Sequence, residues 1–462
     1  MTSLQAGIQS RAVSDLRASV GGQVIVPGDA GYDQIRTVMS GAVDKRPSAI
    51  VRAADSDDVA RVIDHARETG TELAVRSGGH SAAGHSTTDG GIVLDLRDMN
   101  AIDIDLERRT AWAGTGLSAG AYTAAAGAHG VATGFGDTGS VGIGGITLGG
   151  GIGYLVRKHG LTIDSLLAAE IVTADGDVLL VDAEHHSDLF WAIRGGGGNF
   201  GVATRFHFRL HPLDQVVGGM LVLPATPETV AGFMAEAEAA PEELSAIANV
   251  MNCPPMPFVA EEHHGELVIM AMLCFAGDAA AGERAVAPFR ALGTPLADLL
   301  AAIPYPRIYP PDDPDYHPTA VNRTTFIDHV GMAESELIIG RLAASDASLR
   351  VAQLRVLGGA MARVPIEATA FAHRSSRMMV SVAAFYAGPD DQPVRQAWVD
   401  ELSGALYQGD DGAYVNFLGD EGEARARAAY PGSTWHRLAA VKACYDPHNL
   451  FRLNHNVPPA AG

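Results

Sequence analysis

Along the 462-residue chain, the spacing of apolar and polar positions predicts a run of short elements followed by longer ones. Residues 49 to 76 read as strand, helix, strand. "AIV" opens the unit, Val59, Val62, Ile63 and Ala66 form one apolar stripe, and "LAV" closes it. Asp55 or Ser56 stands where the helix needs an N-cap, and Gly70 stands where it must end. "GIVLDLRDMNAIDID" predicts two more short strands. "AAEIVTADGDVLLVDA" predicts a hairpin, with Asp175-Gly176 offering the positive φ angles of a type I′ turn. "SDLFWAIR" predicts a short capped helix stopped by Gly195. "VATRFHFRL" alternates strictly, with Phe206, Phe208 and Leu210 on one side and Arg205, His207 and Arg209 on the other. After His211-Pro212 the glycine clusters thin out. Helices over 227–240 and 278–292 alternate with apolar runs such as "ELVIMAMLCF" and "RMMVSVAAFY", the pattern of a sheet covered by helices. "IPYPRIYPPDDPDYHP" reads as a loop. A helix around Trp435, Leu438 and Lys442 precedes the tail "YDPHNLFRLNHNVPP".

Charge narrows the classes of partner. The 33 basic and 54 acidic residues leave a formal net charge of −21. A nucleic-acid binder needs a basic face, and docking on anionic lipid needs the same, so neither partner is expected. The three cysteines, Cys253, Cys274 and Cys444, are scattered and form no CxxC pair. That fits a reducing compartment and neither a disulfide framework nor a structural zinc site. The first twenty residues show no apolar signal core and no Arg-Arg pair, and no run of 18 apolar residues occurs. A cytoplasmic protein is the expectation, with oligomeric state left open.

Two glycine-dense segments, 77–84 and 139–153, carry the candidate chemistry. Glycine allows close approach and positive φ, so successive amides can point at an anion such as a diphosphate. Two GxGxxG matches fail the context of a dinucleotide fingerprint, which needs a strand before and a helix after. Gly134, Gly136 and Gly139 run on into more glycine with no helix opening. Gly196, Gly198 and Gly201 have the helix before and the strand after. No P-loop lysine follows either cluster. His80, inside "RSGGHSAAGHS", has three readings: a loop residue satisfied by hydrogen bonds, a metal ligand, or an imidazole nucleophile. His80 and His85 lack a surrounding carboxylate or thiol cluster apart from Asp89, which argues against metal. The other two remain open on the residues alone.

Three long stretches together resemble the berberine-bridge-enzyme-like flavin oxidases of the vanillyl-alcohol-oxidase (PCMH-type) superfamily. They are "AIVRAADSDDVARVIDHARETGTELAVRSGGHSAAGHS…GGIVLDLRDMN", "GDTGSVGIGGITLGGGIGYLVRKHGLTIDSLLAAEIVTADGDVLLVDAEHHSDLFWAIRGGGGNFGVATRF" and "AYVNFLGD…YDPHNLFRLNHNVPP". The resemblance runs from about residue 30 to 458. It implies an α+β chain: a two-lobed PCMH-type FAD-binding domain over 1–213, a substrate domain with an antiparallel sheet covered by helices over 214–405, and a segment over 406–462 that returns to the FAD domain. It implies that His80 forms an 8α-histidyl bond to the flavin and that Ser77, Gly78, Gly79 and Ser81 carry the diphosphate on backbone amides. Gly84 and His85 belong to the same loop. Thr138, Ser140, Val141, Gly142, Gly144 and Gly145, together with Gly150, Gly151, Gly153 and Tyr154, match segments beside the isoalloxazine and diphosphate. Ile171 and Val172 match the adenine-side strand. Asn416, Asn454 and Asn456 match tail residues near the flavin.

The departures from the family pattern are specific. Thr138 stands where many relatives carry a cysteine that makes a second bond to the flavin, so His80 is expected to be the sole tether. Ala82 and Ile146 replace a tyrosine and a histidine found in some relatives. Val141 matches a small gatekeeper position that leaves room for O2. Tyr414, the tyrosine of "YVN", resembles the catalytic base of several relatives. An ordinary tyrosine pKa of about 10 would then need a nearby cation, for which Lys442, Arg374 and Arg323 are the candidates. Tyr305 and Tyr309 stand either on the pocket or as loop anchors. The resulting expectation is an oxidase of a small-molecule alcohol or amine, of secondary-metabolite or sugar-like kind, that passes hydride to flavin N5 and releases H2O2. The alternatives are an FAD monooxygenase working through a flavin–oxygen adduct and a flavin-binding protein without turnover.

Overall fold

The computed structural model describes residues 14–461. A small sheet is ordered Gln23–Ile25, Ala49–Arg52, Ile92–Asp95, Leu73–Arg76, with the last three strands parallel. Parallel neighbours need a crossover, and the helix Ser56–Thr69 supplies it. Asp55 caps it by accepting from the Asp58 N–H, and Gly70 closes it at φ 66°. Val59, Val62, Ile63 and Ala66 are fully buried against Val51, Leu73 and Leu94. The unit thus holds the end of Leu73–Arg76 fixed at the point where the first glycine loop begins.

A second, antiparallel sheet is ordered Ile102–Asp105, Thr110–Gly114, Val202–Arg209, Leu166–Val172, Val178–Asp182. Its central strand follows the alternation of its sequence: Phe206 and Phe208 are fully buried, while Arg205 and Arg209 face solvent. The inner face packs on the helices Ala119–Gly127, Ser187–Ala192 and Ser433–Tyr445, so the C-terminal helix shares this core.

Four local expectations need correction. The hairpin at Asp175-Gly176 is not a type I′ turn, because only Gly176 has positive φ (83°). Gly176 N–H bonds Thr173 C=O and Thr173 N–H bonds Asp177 C=O, a type I turn followed by a left-handed glycine. A six-residue helix, Ile143–Leu148, opens after Gly134–Gly139, where the glycine-rich sequence shows none. Its propensity is poor, but Ile143, Gly144 and Thr147 are buried, and packing overrides propensity. The helix Ser187–Ala192 has no side-chain cap; its N-terminal flank is His186, at φ 50°. The proline-rich segment begins with the strand Ala301–Pro304 and a 3-10 turn, Tyr305–Ile308, before it becomes loop.

The third sheet is wholly antiparallel. Its path runs Ala297–Asp298, Gln215–Pro224, Leu267–Phe275, Leu244–Asn252, Arg350–Val356, Met378–Phe385, Ala320–Ile327, with Ala301–Pro304 also paired to Gln215–Pro224. Helices Pro227–Ala239, Ala279–Arg290, Met332–Ala344 and Gln392–Ala405 pack on this sheet, meeting a core that includes Leu354, Val356 and Val380. Alternation sends Gln353 and Arg355 the other way, toward the first two sheets. The mixed α+β architecture agrees with the sequence expectation.

Candidate active site

The strand Leu73–Arg76 runs straight into residues 77–86. Two glycine loops meet there: a Cβ on Gly78 would lie 2.2 Å from the Gly142 nitrogen, and one on Gly142 would lie 2.1 Å from Ser77 Oγ. Ser77 Oγ stitches the loops by donating to Thr115 C=O (2.6 Å) and accepting from Gly144 N–H (3.3 Å). The N–H groups of Gly78, Gly79, His80 and Ser81 find no acceptor among the described residues. Beneath them lies Arg76, 1% exposed, which donates to Ile35 C=O (2.6 Å) and Ser86 C=O (3.2 Å). Burial lowers its pKa to about 10, so it stays a cation. The Asp95 carboxylate nearby is shared with Arg97 (2.7 Å), which leaves this group net positive. Unpaired amides over a buried cation make an anion cradle.

The loops open on a cavity of about 540 Å³. Ser77, Gly78, Gly79, His80, Ser81 and His85 form one wall; Thr138, Val141, Gly142, Gly144 and Gly145 form another. Tyr414, Asn416 and Asn454 come from the tail, and Asn322, Gln353 and Arg355 from the third sheet. Burial lowers the His80 pKa, against the opposing pull of Asp312 and the Ser140 carbonyl, so its imidazole is neutral at neutral pH. Burial takes His85 and His455 to about 4, and their rings meet edge to face at 4.9 Å. The Tyr414 oxygen accepts from Gly151 N–H (3.1 Å), Ile152 N–H (3.1 Å) and Asn416 Nδ2 (2.9 Å). Burial still raises its pKa; those donors and the charge of Arg355 oppose the rise.

Comparison with known proteins decides what this cavity belongs to. Residues 47–182 match the family model "FAD binding domain", and residues 413–458 match "Berberine and berberine like". The chain is 31% identical to (R)-6-hydroxynicotine oxidase of Paenarthrobacter nicotinovorans, over 96% of this chain and 97% of that one. It belongs to the berberine-bridge-enzyme-like FAD-linked oxidoreductases. An uncharacterized FAD-linked oxidoreductase of Bacillus subtilis is 32% identical over 95% of this chain and 98% of its own length. The crystal structure of 6-hydroxy-D-nicotine oxidase from Arthrobacter nicotinovorans superposes with a TM-score of 0.85 at 30% identity, covering 96% of this chain and 99% of that one.

The residues of this FAD-linked oxidoreductase fit its cofactor. The unpaired amides of residues 78–81 and the buried Arg76 suit a diphosphate. Tyr430 Oη and Asn454 Oδ1, buried and without partners among the described residues, offer further polar contacts on the cavity wall. Several residues named from the sequence stand behind the wall instead. Gly84 packs on Val43, Gly150 on Phe371, and Gly153 on the Phe135 carbonyl. Gly151 contributes its N–H to Tyr414 rather than to the cavity. Ser140 faces the first loop through its carbonyl. Tyr154 joins Tyr305 and Tyr309 in an aromatic cluster under the third sheet, so these tyrosines anchor the loop and are off the cavity wall. Ile171 and Val172 are core residues; Gly201, pressed against both, occupies the wall in front of them. Asn456 is likewise off the wall, its Oδ1 buried without a partner among the described residues.

The cations expected beside Tyr414 of the oxidoreductase are engaged elsewhere. Lys442 donates to Asp446 (2.6 Å), Asn199 C=O (2.6 Å) and Phe451 C=O (2.9 Å), and so pins the tail to the first two sheets. Arg374 pairs with Asp164 (2.7 Å), and Arg323 with Asp400 (2.6 Å). The charge that acts on Tyr414 is that of Arg355, from beyond the Phe417 ring, and sequence reasoning passed over it. Its signal was the polar pair Gln353 and Arg355 alternating with buried Ala352, Leu354 and Val356 in the middle of an apolar strand.

Proposed function

We propose that this oxidoreductase is an oxidase of a small-molecule alcohol or amine, using O2 as its second substrate, with its FAD tethered through His80 alone. The observation that carries the reading is the neutral, buried imidazole of His80 set among the free amides of residues 78–81 on the wall of the large cavity shared by all three sheets. Whole-length similarity to a nicotine oxidase supports the oxidase class. None of the three cysteines lies on the cavity wall, and Thr138 does, which supports a single tether.

Bound FAD supplies the hydride acceptor at N5 and, on reoxidation by O2, the release of H2O2. The amides of residues 78–81 hold the diphosphate. A neutral His80 has the free lone pair that a nucleophile requires. Tyr414 Oη takes the substrate proton. It can do so only as a phenolate, which the N–H groups of Gly151 and Ile152 and Asn416 Nδ2 stabilise while burial disfavours it. The active fraction therefore grows with pH toward a rising limb above the ordinary tyrosine value of about 10.

The test is acid precipitation of the purified protein, followed by peroxide detection with a panel of alcohols and amines. Yellow colour in the pellet and peroxide on turnover are expected. Colour left in the supernatant refutes the His80 bond, and flavin reduction without peroxide refutes the oxidase assignment.

A further inference from the structure

Asp137 and Arg355 are the only Asp, Glu, Lys or Arg side chains on the cavity wall among the described residues. Arg355 is 4% exposed and rigidly set. Its Nη2 pairs with Asp137, which belongs to the loop just before Thr138, so the contact spans from the third sheet to the wall below. Nε (2.9 Å) and Nη2 (2.6 Å) also donate to Gln353 Oε1. Gln353 is itself fixed, because its Nε2 donates to Asn249 Oδ1 (2.8 Å) and Asn249 Nδ2 donates to Met270 C=O (2.9 Å). The guanidinium lies 5.1 Å from the Phe417 ring centroid, and that ring is 5.2 Å from Tyr414. These neighbours together set Arg355 at the Tyr414 end of the cavity.

Every donor of this guanidinium is used except Nη1, whose two N–H groups have no acceptor among the described residues. Asp137, by contrast, is occupied by Arg355 and by the Thr138 hydroxyl (3.3 Å). The histidines on the wall are neutral. A substrate ammonium would find the single carboxylate already paired, whereas an oxygen anion would find two free, oriented donors on a cation.

We infer that Arg355 anchors the non-reacting end of the substrate through Nη1, and that this end carries an anionic oxygen, a carboxylate or a phenolate. Gln353 positions Arg355, and Asp137 moderates its charge. The inference rests on the cavity being the flavin and substrate site.

The experiment titrates the flavin-loaded protein with benzoate, 4-nitrophenolate, benzyl alcohol and benzylamine, following the visible flavin band. Benzoate or 4-nitrophenolate should perturb the band with a lower Kd than the alcohol or the amine, and whichever anion binds tighter identifies the oxygen. Arg355→Met should raise the Kd of that anion at least tenfold and leave that of benzyl alcohol within twofold. Arg355→Lys, which keeps the charge but loses the fork, should raise it at least threefold and serves if the methionine variant does not hold flavin. Asp137→Asn should lower it, because an opposing charge is removed. Gln353→Leu should raise the anion Kd with flavin content and benzyl alcohol binding unchanged. An anion Kd indifferent to Arg355, or tighter binding of benzylamine that disappears in Asp137→Asn, overturns the inference. A protein purified without flavin overturns the functional reading itself, whereas a working oxidase blind to both anions overturns only the anchor.

Discussion

Replacing Gly78 with alanine tests whether the two glycine loops are held together as described. Gly78 does not have positive φ, so the substitution introduces no backbone strain and isolates steric fit. The added Cβ would stand 2.2 Å from the Gly142 nitrogen and 2.9 Å from its Cα, both backbone atoms that cannot rotate away. The loops must part by about 1 Å to restore ordinary van der Waals separation, a displacement of the size that overpacked cores make at about 1–3 kcal/mol. The Ser77 Oγ to Gly144 N–H bond, already 3.3 Å long, is the first to break. The amides of residues 78–81 then shift away from their anion. In the His80→Ala background, from which flavin can be removed, urea denaturation of the apoprotein should show a lower midpoint with an unchanged slope, and with His80 in place the flavin-to-protein ratio after purification should fall. Gly145→Ala is the control: it lines the same cavity, yet its Cβ meets nothing within 4 Å, so apoprotein stability should hold or rise slightly. If Gly78→Ala leaves both the midpoint and the flavin content unchanged, the close packing of the loops is wrong.

Other substitutions probe separate parts of the molecule. His80→Ala should leave the flavin extractable by acid or absent, read from the colour of the supernatant. Tyr414→Phe should keep its flavin and lose about 10²–10⁴ in kcat/KM, and the wild-type rate should climb with pH into the alkaline range; a flat profile between pH 7 and 10 contradicts the base role. Lys442→Met leaves Asp446 buried and unpaired, at a cost of about 3–5 kcal/mol, and limited proteolysis should then cut within the tail after residue 446. Asp58 is buried, which alone would raise its pKa, but the N–H groups of Ala54, Gly21 and Gly22 and the charge of Arg61 bring it below the ordinary value. A depressed carboxylate stabilises above its unfolded pKa of about 4 and loses that contribution as pH falls through the folded value. Asp58→Asn should therefore cost about 1–2 kcal/mol at pH 7, with the difference from wild type shrinking below pH 4; a constant difference would refute the linkage.

What the sequence disclosed follows from the range of the interaction involved. The stripe on Ser56–Thr69, its Asp55 cap and its Gly70 stop lie within one helix, and the alternation of Phe206 and Phe208 lies within one strand. Both are legible because the period of an element is written in consecutive residues. The first glycine loop was legible as an anion site for a related reason, since it carries its own donors, whereas the role given to His80 came only from the family resemblance. The Asp137–Arg355 pair was not, because its partners are 218 residues apart and only the stacking of one sheet over another brings them together. Ile171 and Val172 were assigned to the cofactor side by the family resemblance, which does not reveal that in this chain Gly201 is inserted in front of them. Lys442 was given a catalytic option for want of the same tertiary information; two acceptors in its own tail, Asp446 and Phe451, and one distant carbonyl, that of Asn199, account for it.

The hydrogen bond from Lys442 to the Asn199 carbonyl joins positions 243 residues apart. It sets an order for the birth of the protein on the ribosome. The third sheet draws all its strands from residues 215–385 and can pair them before the last residues are made. The cavity cannot close then, because Tyr414, Asn416 and Asn454 emerge last. A nascent chain stalled before residue 442 would hold a finished roof and the first glycine loop, yet no enclosed place for a nucleotide. Loading of the cofactor should therefore follow completion of the polypeptide, and a chain cut before residue 442 should purify with less flavin than the whole one.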